Sequence, residues 1–257
     1  MDKPRRESNR ERHEIDHGKK LSEEDTELIW GWNTPAGRLR ARRRGELIQR
    51  KAELCAGMSA LEIGCGTGLF TEMFVGSGAR ILALDISVDL LDKAISRNLP
   101  PEQVKFRALP FDDEGVKGPF TAVIGSSILH HLEIRPSLDR IYRLLEPGGA
   151  MVFAEPNMLN PQIMIQKNNS WLKKKFGDSP DETAFFSWSI RSQLIAAGFT
   201  AIEIIPFDWL HPLTPASLIP VMQRLGLILE KIPVIRNFAG SLLICAKRPL
   251  SYVNETH

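Results

Sequence analysis

Short apolar runs alternate with amphipathic stretches along most of the chain. Apolar runs at 58–63, 81–84, 104–108, 118–124, 150–154, 199–205 and 240–247 are rich in Val, Ile, Leu and Ala, as expected of strands buried in a sheet. Helical patterns fall between them. Residues 69–75 read as a helix directly after the first run. Ser87 reads as the N-cap of a helix extending to about Arg97, with Leu90, Leu91 and Ala94 facing inward. Residues 134–145 are amphipathic, and a helix over 189–197 ends at Gly198. Strands alternating with helices predict an α/β fold with a largely parallel sheet and helices on both faces.

Three stretches break the alternation. Residues 1–20 mix charges of both signs and have almost no large apolar side chains, so a disordered or loosely helical tail is expected. Residues 21–52 begin with an acidic helix start, Ser22-Glu23-Glu24-Asp25, then carry Leu28, Ile29, Trp30 and Trp32 ahead of a run of arginines, Arg38 to Arg44. That run reads as a solvated basic helix face or as a surface for anionic lipid or phosphate. Residues 206–239 form a long insertion dense in Leu, Ile and Pro. It reads either as a cap over a pocket or as an apolar patch resting on a membrane with the help of Lys231 and Arg236.

The chemistry concentrates after the first strand, in Glu62-Ile63-Gly64-Cys65-Gly66-Thr67-Gly68. A strand, a glycine-rich turn and a helix make a nucleotide-binding arrangement. Glycines let backbone approach a ligand closely, and the helix N-terminus offers unpaired N–H groups. The G-x-G-x-G spacing departs from the G-x-G-x-x-G dinucleotide fingerprint, which disfavours a nicotinamide dehydrogenase. Asp85 ends the second apolar run, where a carboxylate can accept both hydroxyls of a ribose.

These residues resemble the first and second motifs of the class I S-adenosylmethionine (SAM) dependent methyltransferases. The resemblance spans roughly 58–199, with the last strand beyond it. It implies a Rossmann-like, seven-stranded, mostly parallel sheet with an antiparallel edge strand. It also implies helical N-terminal and lid segments, the latter at 157–187 and 206–239, around a methyltransferase domain spanning 53–250. SAM is the implied cofactor and S-adenosylhomocysteine the product. Implied contacts are Glu62, Gly64, Cys65, Gly66, Gly68 and Asp85 in the motifs, Ile86 against adenine, Leu109 in the Leu-Pro-Phe segment, and Ser126 at the methionine part. The basic run gains a third reading as a cofactor lid, with Arg43 on the SAM carboxylate.

His130-His131 and Glu155 follow the fourth and fifth strands, at the end of an α/β sheet that faces the site. His131 and Glu155 are the candidate bases for an oxygen or carbon acceptor. Each also has a structural alternative: shaping the loop, or capping a helix. Cys65 reads as a small space-filler in the turn. The cysteines Cys55, Cys65 and Cys245 are scattered and lack metal-ligand spacing, so neither a metal site nor a disulfide framework is expected. The net charge of +2 argues against a nucleic-acid surface, and the start carries no apolar leader segment. The expectation is a cytoplasmic enzyme acting on a small or lipid-like molecule, with peripheral membrane contact as a further reading. The rivals are an RNA or protein methyltransferase and a non-catalytic SAM-binding protein.

Overall fold

The seven apolar runs become seven strands of one sheet, in the order β3-β2-β1-β4-β5-β7-β6. They are β1 (Ser59–Ile63), β2 (Arg80–Asp85), β3 (Val104–Ala108), β4 (Phe120–Ser126), β5 (Leu145–Pro156), β6 (Thr200–Phe207) and β7 (Ser241–Lys247). The computed structural model describes residues 9–169, 171–173 and 183–250. Strands β1 to β5 pair in parallel. The antiparallel strand is β7, which is inserted beside the edge and bonded to β5 on one side and to edge strand β6 on the other. Chain direction across the sheet reverses its order between β1 and β4, so a crevice opens at the carboxyl ends of these two strands.

Side chains alternate along the strands and sort into two cores. Ala60, Ile81, Val152 and Cys245 face the core shared with α3 (Pro35–Lys51), α4 (Leu69–Val75) and α5 (Val88–Ile95). Leu61, Val123, Met151 and Ile244 face the core shared with α6 (Ile134–Leu144) and α8 (Ser187–Ala196). Ser87 caps α5 by accepting the amide of Leu90, and Thr34 caps α3 by accepting that of Gly37.

The N-terminal segment differs from the sequence expectation. Residues 9–20 are not a tail: they belong to helix α1 (Asn9–Ser22), which lies against α5. A methyl group on Gly18 would sit 2.6 Å from the Ser87 hydroxyl oxygen, so glycine permits the close crossing. The described buried positions of this helix are Gly18 and Leu21, too few to produce an apolar periodicity. Residues 1–8, and 170 and 174–182 of the expected lid segment, lie outside the described residues. Asp25 caps the short α2 (Thr26–Ile29), which leads into α3.

The two later insertions carry α7 (Pro161–Lys167) and α9 (Ile219–Leu229). They are tied together: the Asn160 side chain donates to the Phe238 carbonyl at 2.9 Å, and Gln162 Nε2 meets His211 Nε2 at 2.8 Å. No helix among the described residues is long and apolar enough to cross a membrane.

Candidate cofactor and acceptor site

A cavity of about 960 Å³ opens at the β1–β4 crevice. Its floor is the glycine turn. Gly64, Gly66 and Gly68 all have positive φ, at 67°, 51° and 75°, which accounts for the spacing of the motif. A side chain at Gly64 would strike Ile128 at 2.5 Å, and that contact locks the turn after β1 to the turn after β4. Gly64, Cys65 and Gly66 line the cavity, while Gly68 lies behind, packed on Ala94.

Asp85 joins the first two βα turns. Its Oδ2 accepts the Gly66 amide at 2.7 Å and its Oδ1 accepts the Ser87 amide at 2.9 Å. Burial raises its pKa, opposed by those same amides. Each carboxylate oxygen keeps acceptor capacity toward the cavity it lines. Cys65 is buried and its thiol is pushed well above the ordinary range by burial and by the nearby Asp85 and Glu62 carboxyls. The protonated thiol fits a space-filling role. Glu62 is buried behind the turn and does not line the cavity. Burial pushes its carboxyl up to about 8, and its Oε2 has no hydrogen-bond partner.

Ile86, Leu109 and Ser126 all face the cavity, as does Asp112 of the Leu-Pro-Phe-Asp segment. Arg43 does not. It makes two hydrogen bonds to Glu230, at 2.8 and 2.5 Å, outside the cavity, and this partner raises its pKa. Its neighbour Arg44 enters the site instead. Arg44 is buried, donates to Ser126 Oγ, Ser127 Oγ and Ser241 Oγ, and lies 5.2 Å from the Trp32 ring centroid. Burial lowers its pKa to about 10, with Asp208 opposing and Arg40 adding to the fall. It has no carboxylate partner among the described residues, and its Nε is unpaired. A buried cation without a counterion is costly, and a ligand carboxylate would relieve it. The signal was present in the sequence: Ala41, Arg44 and Ile48 fall on one buried helical stripe.

Glu155 also departs from expectation. Its Oε1 accepts the amides of Ile128 and Leu129 at 3.0 and 2.9 Å, and its Oε2 lies 2.6 Å from His130 Nδ1. Burial would raise this carboxyl, but the His130 contact and the two amides outweigh it and hold the pKa below the ordinary value. Fully buried and outside the cavity lining, Glu155 fastens the His130 loop and is not positioned to take a substrate proton. His131 does line the cavity. Its Nδ1 is 3.0 Å from Glu14 Oε2 on α1, an ion-pair distance without hydrogen-bond alignment.

The N-terminal segment closes the site with an ionic latch that the sequence did not reveal. Thr67 of the glycine turn donates to Glu27 at 3.0 Å, and Arg97 binds both Glu27 and the Thr67 carbonyl. Trp30 follows, its ring edge 3.1 Å from the point a Gly66 Cβ would occupy. The cavity lining also includes the apolar side chains of Leu28, Leu132, Ile163, Leu210 and Leu213. Only the start of the second insertion, Asp208 to Leu213, lines the cavity; α9 does not.

The residues fit SAM: a glycine floor whose backbone a ligand can approach closely, a carboxylate at Asp85 with spare acceptor capacity, and a buried cation at Arg44 without a carboxylate partner. Among the described residues no cluster of metal-ligating side chains occurs.

A methyltransferase-domain family model matches residues 61–151. A demethylmenaquinone methyltransferase from Clavibacter sepedonicus is 29% identical over 58% of this chain and 68% of its own length. A ubiquinone biosynthesis O-methyltransferase from Nitrobacter winogradskyi is 26% identical over 57% of this chain and 60% of its own. The chain spans less than two thirds of several curated relatives, down to 39% of an uncharacterized methyltransferase from Schizosaccharomyces pombe. Among solved structures, the N-methyltransferase NodS from Bradyrhizobium japonicum WM9, in complex with S-adenosyl-L-homocysteine, aligns at TM-score 0.60. It is 16% identical over 91% of this chain and 98% of that one. A possible histamine N-methyltransferase from Thermotoga maritima aligns at TM-score 0.61, with 15% identity over 90% and 99% of the two chains.

Proposed function

We propose that this chain is a class I SAM-dependent methyltransferase that transfers a methyl group to an oxygen or carbon of a small, apolar or lipid-like molecule. The observation carrying the acceptor class is the lining of the cavity: beside Asp85, the glycine turn and Arg44 it is walled by Leu28, Leu132, Leu210 and Leu213. Two relatives carry quinones in their names, which favours a ring-bearing apolar acceptor.

Bound SAM supplies a methyl group on a positively charged sulfur, so the protein's task is alignment and a dry environment. Asp85 holds the ribose hydroxyls, and the side-chain-free backbone of Gly64 and Gly66 lets the cofactor approach closely. Arg44 takes the amino-acid carboxylate through the Nη2–H that its bond to Ser241 leaves unused. The latch of Glu27, Thr67 and Arg97 keeps α2 over the turn and shuts out water. His131 accepts the acceptor's hydroxyl proton at a ring nitrogen, with Glu14 across from it to stabilise the cation formed.

Calorimetric titration with SAM, S-adenosylhomocysteine and NADH tests the cofactor half. Saturable binding of both sulfur ligands, and none of NADH, supports it. NADH binding in their place would overturn it.

A further inference from the structure

We propose that the outward face of α9 and the turn that follows form a docking surface for an anionic bilayer, beside the cavity wall at Trp209. The helix is attached to the fold by one stripe: Ile219 and Gly226 are buried, and a Cβ on Gly226 would lie 3.1 Å from Trp209 Cβ. The opposite stripe of a surface helix is ordinarily polar. Here it holds Val221, Leu225 and Ile228, spaced i, i+4, i+7 and 62%, 43% and 57% exposed. Val234, Ile235 and Phe238 extend the apolar surface into the next turn, and all are exposed. No described residue covers this face.

Charge selects the occupant. Arg224 and Lys231 flank the apolar stripe and Arg236 lies in the turn, all three exposed. The one acid between 209 and 247 is Glu230. It is already committed to Arg43 and to the Asp208 amide. An apolar face edged by uncompensated cations matches the interfacial zone of an anionic bilayer. A second copy of this chain, seated face to face, would place like charges together.

The position is functional. Asn157 and Asn160 bond the carbonyls of Asn237, Ala239 and Phe238, so the turn abuts α7. On α7, Met164 and Ile165 are exposed while Ile163 and Gln166 line the cavity. A membrane-dissolved acceptor would therefore meet the cavity at the bilayer surface. Docking itself does not depend on the proposed reaction; delivery of the acceptor does.

The test is flotation of the full chain with vesicles of phosphatidylcholine alone or mixed with phosphatidylglycerol, at low and high salt. The variants are Val221→Asp/Ile228→Asp and Arg224→Glu/Lys231→Glu, with S-adenosylhomocysteine binding measured on each as a check of the fold. Each cation at an anionic surface contributes about fivefold, so the charge variant should weaken binding by more than about tenfold. The expected result is salt-sensitive binding to the anionic vesicles, lost in both variants while ligand binding persists. Wild-type protein that stays unbound with both vesicle types would overturn the proposal. So would variants that float like wild type, or concentration-dependent dimerisation abolished by Val221→Asp/Ile228→Asp. Flotation without SAM binding would leave docking standing and remove the proposed reaction.

Discussion

Arg43 and Arg44 are adjacent, identical in chemistry and opposite in placement, which makes them a controlled comparison. Replacing each with methionine removes the guanidinium and keeps an apolar stem. Arg43 pairs with Glu230 at a partly exposed site, its side chain 37% accessible. Such a pair contributes about 0.5–1 kcal/mol after solvent screening, and it touches no ligand. Arg44 Nη1 donates to Ser126, Ser127 and the Ala154 carbonyl and Nη2 donates once, to Ser241, which leaves one Nη2–H for a ligand while Nε is enclosed by protein. One hydrogen bond between charged groups is worth about 1.5–3 kcal/mol, or roughly ten- to 150-fold in Kd. Calorimetry should show that loss for S-adenosylhomocysteine in Arg44→Met and almost none in Arg43→Met. The sharper readout is 5′-methylthioadenosine, which lacks the amino-acid carboxylate. Its affinity should change less than about threefold in Arg44→Met if the arginine acts on the carboxylate alone. Equal weakening of both ligands would mean that Arg44 supports the pocket structurally, and no weakening of either would refute the assignment.

Other expectations follow from the same geometry. Asp85→Asn can accept only one of the Gly66 and Ser87 amides and sets an NH2 against the other. Affinity for S-adenosylhomocysteine should fall at least about 100-fold, with a lower melting temperature; binding within a few-fold of wild type would remove Asp85 from the cofactor site. Glu155→Ala strands His130 and two amides in the core, so chemical denaturation should register a loss of about 3–5 kcal/mol. Because the folded Glu155 pKa is depressed, its contribution is present above the unfolded carboxylate pKa and disappears as pH falls through the folded value. Glu155→Gln should therefore flatten the acid limb of a melting-temperature profile, and an unchanged limb would contradict the account. Glu62 is the reverse case: its folded pKa is raised to about 8, so stability is full below the ordinary value of 4.5 and declines as pH rises through 8. Glu62→Gln should gain relative to wild type across that window, and parallel profiles would count against it.

The parts of the site made by local rules were legible in the sequence. A buried strand followed by glycines at alternate positions leaves few backbone solutions, and the positive φ values at Gly64, Gly66 and Gly68 follow from it. Asp85 was legible because it ends the adjacent strand. The parts made by long-range packing were not. Arg43 and Arg44 differ only in which helical stripe meets the sheet, and the distinction rests on Ala41 and Ile48. Glu155 stands at a strand end that faces the site, yet its partners are a histidine and two amides roughly 25 residues earlier in the chain. Helix α1 docks at Gly18 and Leu21, so its low apolar content read as a tail. In 206–239 the apolar content was plain, but which face is covered depends on Trp209 and on Gly226 in α9.

The most direct test of the central claim is methyl transfer itself. Purified protein is incubated with SAM carrying a labelled methyl group and with fractionated cell extract, and the label is followed into organic-soluble, aqueous, RNA and protein fractions. Label in an organic-soluble product, absent with Asp85→Asn, is the predicted result. Label confined to RNA or protein, or none in any fraction despite measured SAM binding, would contradict it.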